Sequence, residues 1–340
     1  MHYLVTGHTG FKGSWLSLML QMQGHTVSGI SLDPPEKSLF NQAKLNNLFQ
    51  NDLRIDIRNF RELSIAVKRI DPEVIIHLAA QPLVRESYRD PVGTFETNVL
   101  GTLNLLEATK ALSNLRATLV ITTDKVYKNH NHLRGYLETD ELGGDDPYSA
   151  SKAAADIATQ SWVKSFATSP VAIARAGNVI GGGDWATDRI IPDLVNAYSS
   201  NQIPTLRYPH AIRPWQHVLD CLNGYMTLID SMIRDGVSGE WNFGPHLKDR
   251  HEVIDLVEEF AKSWRVQDSD SVWTVEETKQ PHEAGYLLLD SSKARESLGW
   301  RDKLDFQETV DLTSAWYRNI GQLGAMNTTK IQIEDYFNLK

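Results

Sequence analysis

The sequence predicts an α/β fold: a doubly wound parallel sheet with a smaller C-terminal lobe. Three observations predict it. Short apolar runs alternate with helix-length segments through the first half of the chain, a glycine-rich turn joins the first run to the first helix, and the alternation breaks down after about residue 180. A parallel sheet covered on both faces needs strands that are apolar throughout, linked by right-handed helical crossovers.

In order along the chain, the strand candidates are Tyr3–Thr6, Thr26–Leu32, Leu53–Ile55, Val74–Leu78, Ala117–Thr122 and Val171–Ala174. Between them lie helical segments at Phe11–Gln23, Phe60–Lys68, Val92–Leu112 and Tyr148–Phe166. Strand–helix alternation of this kind is the signature of a parallel α/β sheet. Beyond it, Gly181-Gly182-Gly183-Asp184 reads as a loop, Trp241-Asn242-Phe243 as a returning strand and Val253–Trp264 as an amphipathic helix. The expected division is a sheet domain over residues 1–180 plus about 213–245, and a substrate-binding lobe over 181–212 and 246–340.

With 340 residues, the chain is long enough for one large core or two lobes sharing a cleft. Net charge is −9 and no basic run stands out, which argues against a nucleic-acid partner. The single cysteine, Cys221, excludes an intramolecular disulfide and fits a reducing cytoplasm. The apolar stretch Trp15–Leu20 is too short for a bilayer span, and no apolar leader precedes the first strand, so a cytoplasmic protein without a membrane partner is expected.

Gly7-His8-Thr9-Gly10-Phe11-Lys12-Gly13 lies where a strand turns into a helix. Glycines at that spacing allow a tight turn, close backbone approach to a pyrophosphate, and packing of helix on strand. The helix N-terminus then offers free N–H groups to phosphates. Asp33 follows the second strand about 20 residues later, where an acidic side chain accepts hydrogen bonds from an adenosine ribose. That arrangement points to a Rossmann domain binding NAD, with Asp33 disfavouring a 2′-phosphate and Lys37 close enough to blur the preference. Asp56-Ile57 is placed to hold the adenine. Leu78, Ala79 and Ala80 end the fourth strand with mostly small residues against which a cofactor can lie.

Tyr148 and Lys152 stand four residues apart at the start of a helix and so share one face. A free phenol, with a pKa near ~10, is a poor base at neutral pH. A neighbouring ammonium favours the phenolate. The fifth strand ends in Thr122-Thr123-Asp124-Lys125, and strand carboxyl ends line the ligand crevice of such sheets. A hydroxyl, a carboxylate and an amine therefore converge with Tyr148 on one spot.

Gly7, Gly10, Gly13, Asp56-Ile57, His77–Ala80, Asn98, Thr123, Tyr148 and Lys152 together resemble the extended short-chain dehydrogenases over nearly the whole chain. Longer segments are similar to the nucleotide-sugar 4,6-dehydratases of that family, the CDP-glucose type most of all: Thr6–Trp15, Ala79–Val84, Thr123–Tyr127, Leu142–Lys152, Ala174–Trp185, His210–Val218 and Trp241–Pro245. The resemblance implies C4 oxidation of a CDP-glucose substrate by NAD, water loss across C5–C6, and hydride return to C6. It implies that Tyr148, assisted by Thr123, removes the C4 hydroxyl proton and that Tyr148 and Lys152 also bind the cofactor, as do Asn98 and Phe11. Asp124 becomes the acid for the C6 hydroxyl. Related dTDP-glucose enzymes have a glutamate base where Lys125 stands, so Lys125 is either a neutral C5 base or a steadying charge for the enolate. Gln81, Asn178, Arg213 and His282 are placed at the substrate, Asn178 and Arg213 on its diphosphate. A homodimer or homotetramer is implied, packed through Val92–Leu112 and Tyr148–Phe166.

The loop Lys128–Tyr136 departs from the family, which tends to carry a tryptophan there. The histidines His210, His217 and His282 lack metal-site spacing, and no metal is expected. Lys12 points either at a phosphate or the active site, or outward into solvent; His8 has no assigned role, and Trp185 and Trp215 belong to the cleft border or the core. Two rivals remain. A 4-epimerase would share the glycine turn, Tyr148 and Lys152 but needs no acid at C6. A non-catalytic dinucleotide sensor would have no need of the tyrosine and lysine.

Overall fold

In an antiparallel sheet one face is often wet, but here both faces are covered, and the apolar sequences of the central strands show it. The computed structural model describes residues 1–266, 271–275 and 285–339. Its central sheet has seven strands: β1 (His2–Thr6), β2 (Thr26–Ser31), β3 (Asn51–Arg54), β4 (Val74–His77), β5 (Ala117–Ile121), β6 (Val171–Ala176) and β7 (Gly239–Phe243). They run in the order β7-β6-β5-β4-β1-β2-β3, and every neighbouring pair is parallel. Alternate residues feed opposite cores: Tyr3, Val5, Val74 and Ile76 face one, Leu4 and Ile75 the other. This is the period-two geometry of a strand buried on both sides.

Helices cover both faces. The larger core packs α1 (Phe11–Met22) and, from later in the chain, Val218–Asp235; the smaller packs α2 (Phe60–Ile70) through Leu63, Ala66, Val67 and Ile70. Next come α3 (Val84–Arg89), α4 (Gly101–Thr109) and α5 (Pro147–Phe166), then α6 (Ile190–Ser199), α7 (Val218–Asp235), α8 (Val253–Trp264) and α9 (Phe306–Asn338). The α9 stretch is two helical segments joined at Gly324, whose φ of 75° leaves the helical region. No described helix is long and apolar enough to cross a membrane.

Three expectations change. The helix expected over Val92–Leu112 breaks into Pro91–Phe95, a π-helical turn at Glu96–Leu100, and α4. A π turn inserts one residue into the helix and redirects its side chains, here Asn98. The second strand ends at Ser31, so Leu32 and Asp33 belong to the following turn. The late chain does not keep to the smaller lobe: Ser292–Leu298 packs on β7 and α7, and the hydroxyl of Tyr336 donates to Asp220 on α7 at 2.6 Å.

A buried ion pair fixes the centre of the sheet to α5. Arg175 on β6 donates to both carboxylate oxygens of Asp156 at 2.8 Å, and neither side chain is more than 1% exposed. Its remaining amine donates to Tyr127 Oη at 2.9 Å and to the Glu138 carbonyl at 3.0 Å. Tyr127 in turn donates to Asn242 on β7 at 2.7 Å. Asp156→Asn is expected to cost about 3 kcal/mol of stability, because it strands a buried guanidinium. Chemical denaturation of the two proteins measures this, and an unchanged midpoint at equal slope would show the pair is no anchor.

Candidate active site

The carboxyl ends of the sheet strands open into a cleft of about 820 Å³. Its first wall is the glycine turn. Gly7 has a φ of 74°, and a Cβ there would lie 2.7 Å from the Ala79 backbone nitrogen. A Cβ on Gly13 would lie 2.2 Å from the Gly7 carbonyl oxygen. Only glycine lets the turn sit this tightly against the end of β4. Gly10 caps α1 without a side-chain acceptor, and Phe11, Lys12 and Gly13 line the cleft beside it. Thr9 ties the turn to the end of β2 through Ser31 Oγ at 2.6 Å. His8 points the other way: its Nε2 meets Asp52 at 2.7 Å, its ring packs on Phe49, and burial lowers its pKa.

Ser31, Leu32, Ile55, Asp56, Ile57 and Arg58 continue this wall, and Leu78, Ala79 and Ala80 form its floor. Asp56 is held by Arg58, whose hydrogen bonds lower its pKa. These residues fit a dinucleotide: a helix N-terminus without a capping side chain, closely approachable backbone, and a slot between Ile57 and the end of β2. Asp33 does not join them. Because β2 ends two residues before it, its side chain is 89% exposed and pairs with Arg54 at 3.2 Å, outside the cleft lining. Lys37 also leaves this end and lies 3.7 Å over the Trp185 ring.

The second wall carries the titratable cluster. Thr123 caps a short turn over Asp124–Val126 and donates to Asp124 Oδ1 at 2.8 Å. Lys125 Nζ lies 3.0 Å from the same oxygen and 3.3 Å from Asn178 Oδ1. Tyr148, one residue into α5, faces the cleft and shares a hydrogen bond with Thr123. Lys152, one turn on, donates to the Ile121 carbonyl at 2.8 Å. Burial, and then the charge of Lys12, pull its pKa down to about 8. The phenol moves opposite to the sequence expectation: burial pushes Tyr148 up to about 12, only partly offset by Thr123. Desolvation outweighs a lysine whose ammonium is engaged by a backbone carbonyl.

Several site residues stand differently from expectation. Asp124 is fully buried behind its cleft-lining neighbours, with Oδ2 unpartnered; a Cβ on Gly177 would lie 1.9 Å from that oxygen. Asn98 does not reach the cleft. From the π turn it clamps the Gln81 backbone, accepting at 2.8 Å and donating at 3.1 Å, and donates to Ser151 Oγ at 2.8 Å. Gln81 is not in the cleft lining either, because its side chain bonds Thr94 and the Leu83 nitrogen. Asn178, at φ 40°, and the buried Arg213 both line the cleft. His282 lies outside the described residues.

Other groups at the cleft had no sequence assignment. Arg189, at the N-cap of α6, pairs with Asp184 at 2.8 Å and lies within electrostatic reach of Tyr148. Arg85, Arg207 and Tyr208 extend the lining, and Asn129 and Asn131 of the divergent loop reach it. Lys12 does face the cleft, donating to Tyr225 at 3.3 Å. Trp215 borders the cleft, whereas Trp185 bonds Gln42 outside it. Arg189 could have been suspected only as a cation heading an apolar helix, since no family segment quoted above reaches it.

The chain is 42% identical to the CDP-glucose 4,6-dehydratase of Salmonella typhimurium, over 98% of this chain and 95% of that one. Among solved structures, the dTDP-glucose 4,6-dehydratase of Streptomyces venezuelae, with NAD and TYD bound, superposes with a TM-score of 0.82 at 24% identity, covering 94% of this chain and 98% of that one. The UDP-glucuronic acid 4-epimerase of Bacillus cereus, in complex with UDP-glucuronic acid and NAD, matches at 0.81 and 24% identity, covering 94% and 100%. The profile described as GDP-mannose 4,6 dehydratase matches residues 4–313. By that match and by its identity to the Salmonella enzyme, the chain belongs to the GDP-mannose 4,6-dehydratase family of extended short-chain dehydrogenases.

Proposed function

We propose that this protein is an NAD-dependent CDP-glucose 4,6-dehydratase, which converts CDP-D-glucose to CDP-4-dehydro-6-deoxy-D-glucose and water. The observation that carries the reading is near-full-length likeness to such an enzyme, joined to Thr123, Asp124, Lys125, Tyr148 and Lys152 meeting at one end of the cleft. Gly7–Gly13, Asp56, Ile57 and Leu78–Ala80, with Lys152, would hold NAD, which when bound would supply the acceptor for the C4 hydride and its return to C6. The sheet half, residues 1–180 with about 213–245, would hold that cofactor; residues 181–212 and 246–340 would contribute most of the sugar-nucleotide side.

Tyr148 removes the C4 hydroxyl proton, with Thr123 holding the phenol oxygen. A phenol lifted by burial needs a cation to become a base, and Lys152 supplies it while protonated. The 4-ketone then acidifies the C5 hydrogen. Lys125, held between Asp124 and Asn178, takes the C5 proton as a free amine, and the ammonium so formed steadies the enolate charge. Asp124 serves as acid for the C6 hydroxyl: Oδ1 already accepts two hydrogen bonds, so the transferable proton belongs on unpartnered Oδ2 once the carboxyl turns into the cleft. Asn178, Arg189 and Arg213 suit the diphosphate.

A homodimer or homotetramer in the cytoplasm completes the proposal. Val92, Phe95, Leu100, Ile157 and Phe166 expose apolar surface on the helical segments from Pro91 to Thr109 and on α5. The buried Cys221 suits a reducing compartment.

Incubation with CDP-glucose is expected to yield a product lighter by one water without accumulation of NADH, by mass spectrometry beside UDP- and dTDP-glucose controls. An isomer of unchanged mass would promote the epimerase instead. Tyr148→Phe is expected to lower kcat by about 100-fold or more with cofactor content unchanged; retention of most activity would remove Tyr148 from the chemistry. The rate should also fall as pH rises through about 8, where Lys152 loses its proton. Lys12 is the like charge that depresses Lys152, so Lys12→Met raises that pKa and moves the falling limb upward. A limb that stays put or moves down would show that another group sets it.

A further inference from the structure

The cleft continues past the residues that suit the diphosphate. One turn into α6 from Arg189, Asp193 opens onto it, and Arg207 and Tyr208 line the same stretch just after the short strand Thr205–Leu206. Arg85 of α3 closes over this end and pairs with Asp188 at 3.1 Å. None of these groups serves the proton transfers at Tyr148, Asp124 or Lys125. Among the described residues, the side chains of Asp193 and Arg207 make no hydrogen bond or ion pair, although each lies in the other's field. Surrounding walls raise the Asp193 pKa by desolvation, Arg207 lowers it, and Asp188 and Arg85 act with opposite signs.

A nucleotide sugar that puts its sugar at Tyr148 and its diphosphate at Asn178, Arg189 and Arg213 leaves its nucleoside to these remaining walls. Two unengaged groups of opposite charge there constitute an acceptor and a donor facing one pocket. A carboxylate accepts hydrogen bonds and cannot donate; a guanidinium donates and cannot accept. Cytosine presents an exocyclic N4 amine, a donor, with N3 and O2 as acceptors. Uracil and thymine present a carbonyl, O4, where cytosine carries the amine. Held in that one orientation, cytosine matches both wall groups, whereas uracil and thymine set O4 against the carboxylate and N3–H against the guanidinium.

We propose that Asp193 selects the nucleobase: its carboxylate accepts from N4 of cytosine, Arg207 donates to the ring acceptors, and the O4 carbonyl of uracil or thymine is turned away. The inference rests on the nucleotide-sugar reading of the cleft but not on the dehydration chemistry. Discrimination by one such contact amounts to about ten-fold or more.

Binding of CDP, UDP and dTDP to the NAD-loaded protein, measured by isothermal titration calorimetry, tests it without turnover. The wild-type protein is expected to prefer CDP by about ten-fold or more. Asp193→Asn keeps the shape but adds a donor that can meet O4; it should weaken CDP, strengthen UDP and dTDP, and bring the three near parity. Asp193→Ser, which shortens the side chain, should weaken CDP and leave UDP unchanged. Melting temperatures within a few degrees of wild type show that both variants are folded. No wild-type preference for CDP, or equal weakening of all three nucleotides by Asp193→Asn, would overturn the assignment. A protein that discriminates as expected yet dehydrates no sugar nucleotide would keep this inference and sink the proposed reaction.

Discussion

The guanidinium of Arg175 is the point on which the catalytic half of the cleft hangs. Strand β6 supplies it, α5 supplies its carboxylate partner, and the turn after β5 and strand β7 reach it through Tyr127 and Asn242. Those connections run to the segments that carry the chemistry. Tyr127 ends the turn holding Thr123, Asp124 and Lys125, Asp156 lies on the same helix as Tyr148 and Lys152, and Asn178 follows Arg175 on the chain. A buried ion is costly unless every hydrogen-bonding position is satisfied, and here they converge from four directions. The relative placement of base, acid and lysine is thus set by a polar network behind the cleft, with the apolar cores holding the sheet beneath it.

Charge is distributed against the average. The chain carries −9 overall, yet eight lysines and arginines, Lys12, Lys125, Lys152, Arg189 and Arg213 among them, line one cleft against six aspartates. A concave site lined with cations inside an acidic surface draws anionic ligands in and holds other polyanions off. Crowding of like charge also has a local effect: on top of burial, the charge of Lys12 makes the proton of Lys152 less welcome. The phosphates of a bound dinucleotide would relieve that repulsion.

The parts of this architecture legible from the sequence were those governed by local rules. Apolar runs marked β1, β2, β4, β5 and β6, and Trp241–Phe243 marked β7, whereas β3 is mostly polar and only its end overlaps the expected Leu53–Ile55; the glycine spacing located the turn whose backbone packs on Ala79. The Tyr148/Lys152 pair and the end of β5 do converge. Sequence and structure part where a small offset or a remote contact decides. Asp33 was expected at the ribose, but β2 stops two residues short and Arg54 on the neighbouring strand captures the carboxylate. Asn98 and Gln81 were expected at ligands; a π turn, invisible in hydrophobic periodicity, directs them to each other. Arg189 and Asp193 escaped notice because their importance depends on which cleft their helix borders, a property of the tertiary fold alone.

The wandering of the late chain has a consequence for how the molecule comes into being. β7 joins the sheet edge only after residue 239, and Tyr336 docks on the carboxylate of Asp220, more than a hundred positions upstream. The early strands and the glycine turn can pair while the ribosome is still at work on the rest. Asn242, which completes the circuit behind Thr123–Lys125, arrives long afterwards, and Asp220 stays uncapped until the closing helix emerges. Non-local pairings of this kind are formed slowly. A nascent chain of this protein therefore holds the strands and glycine turn of its dinucleotide pocket before it holds the residues that complete its catalytic centre.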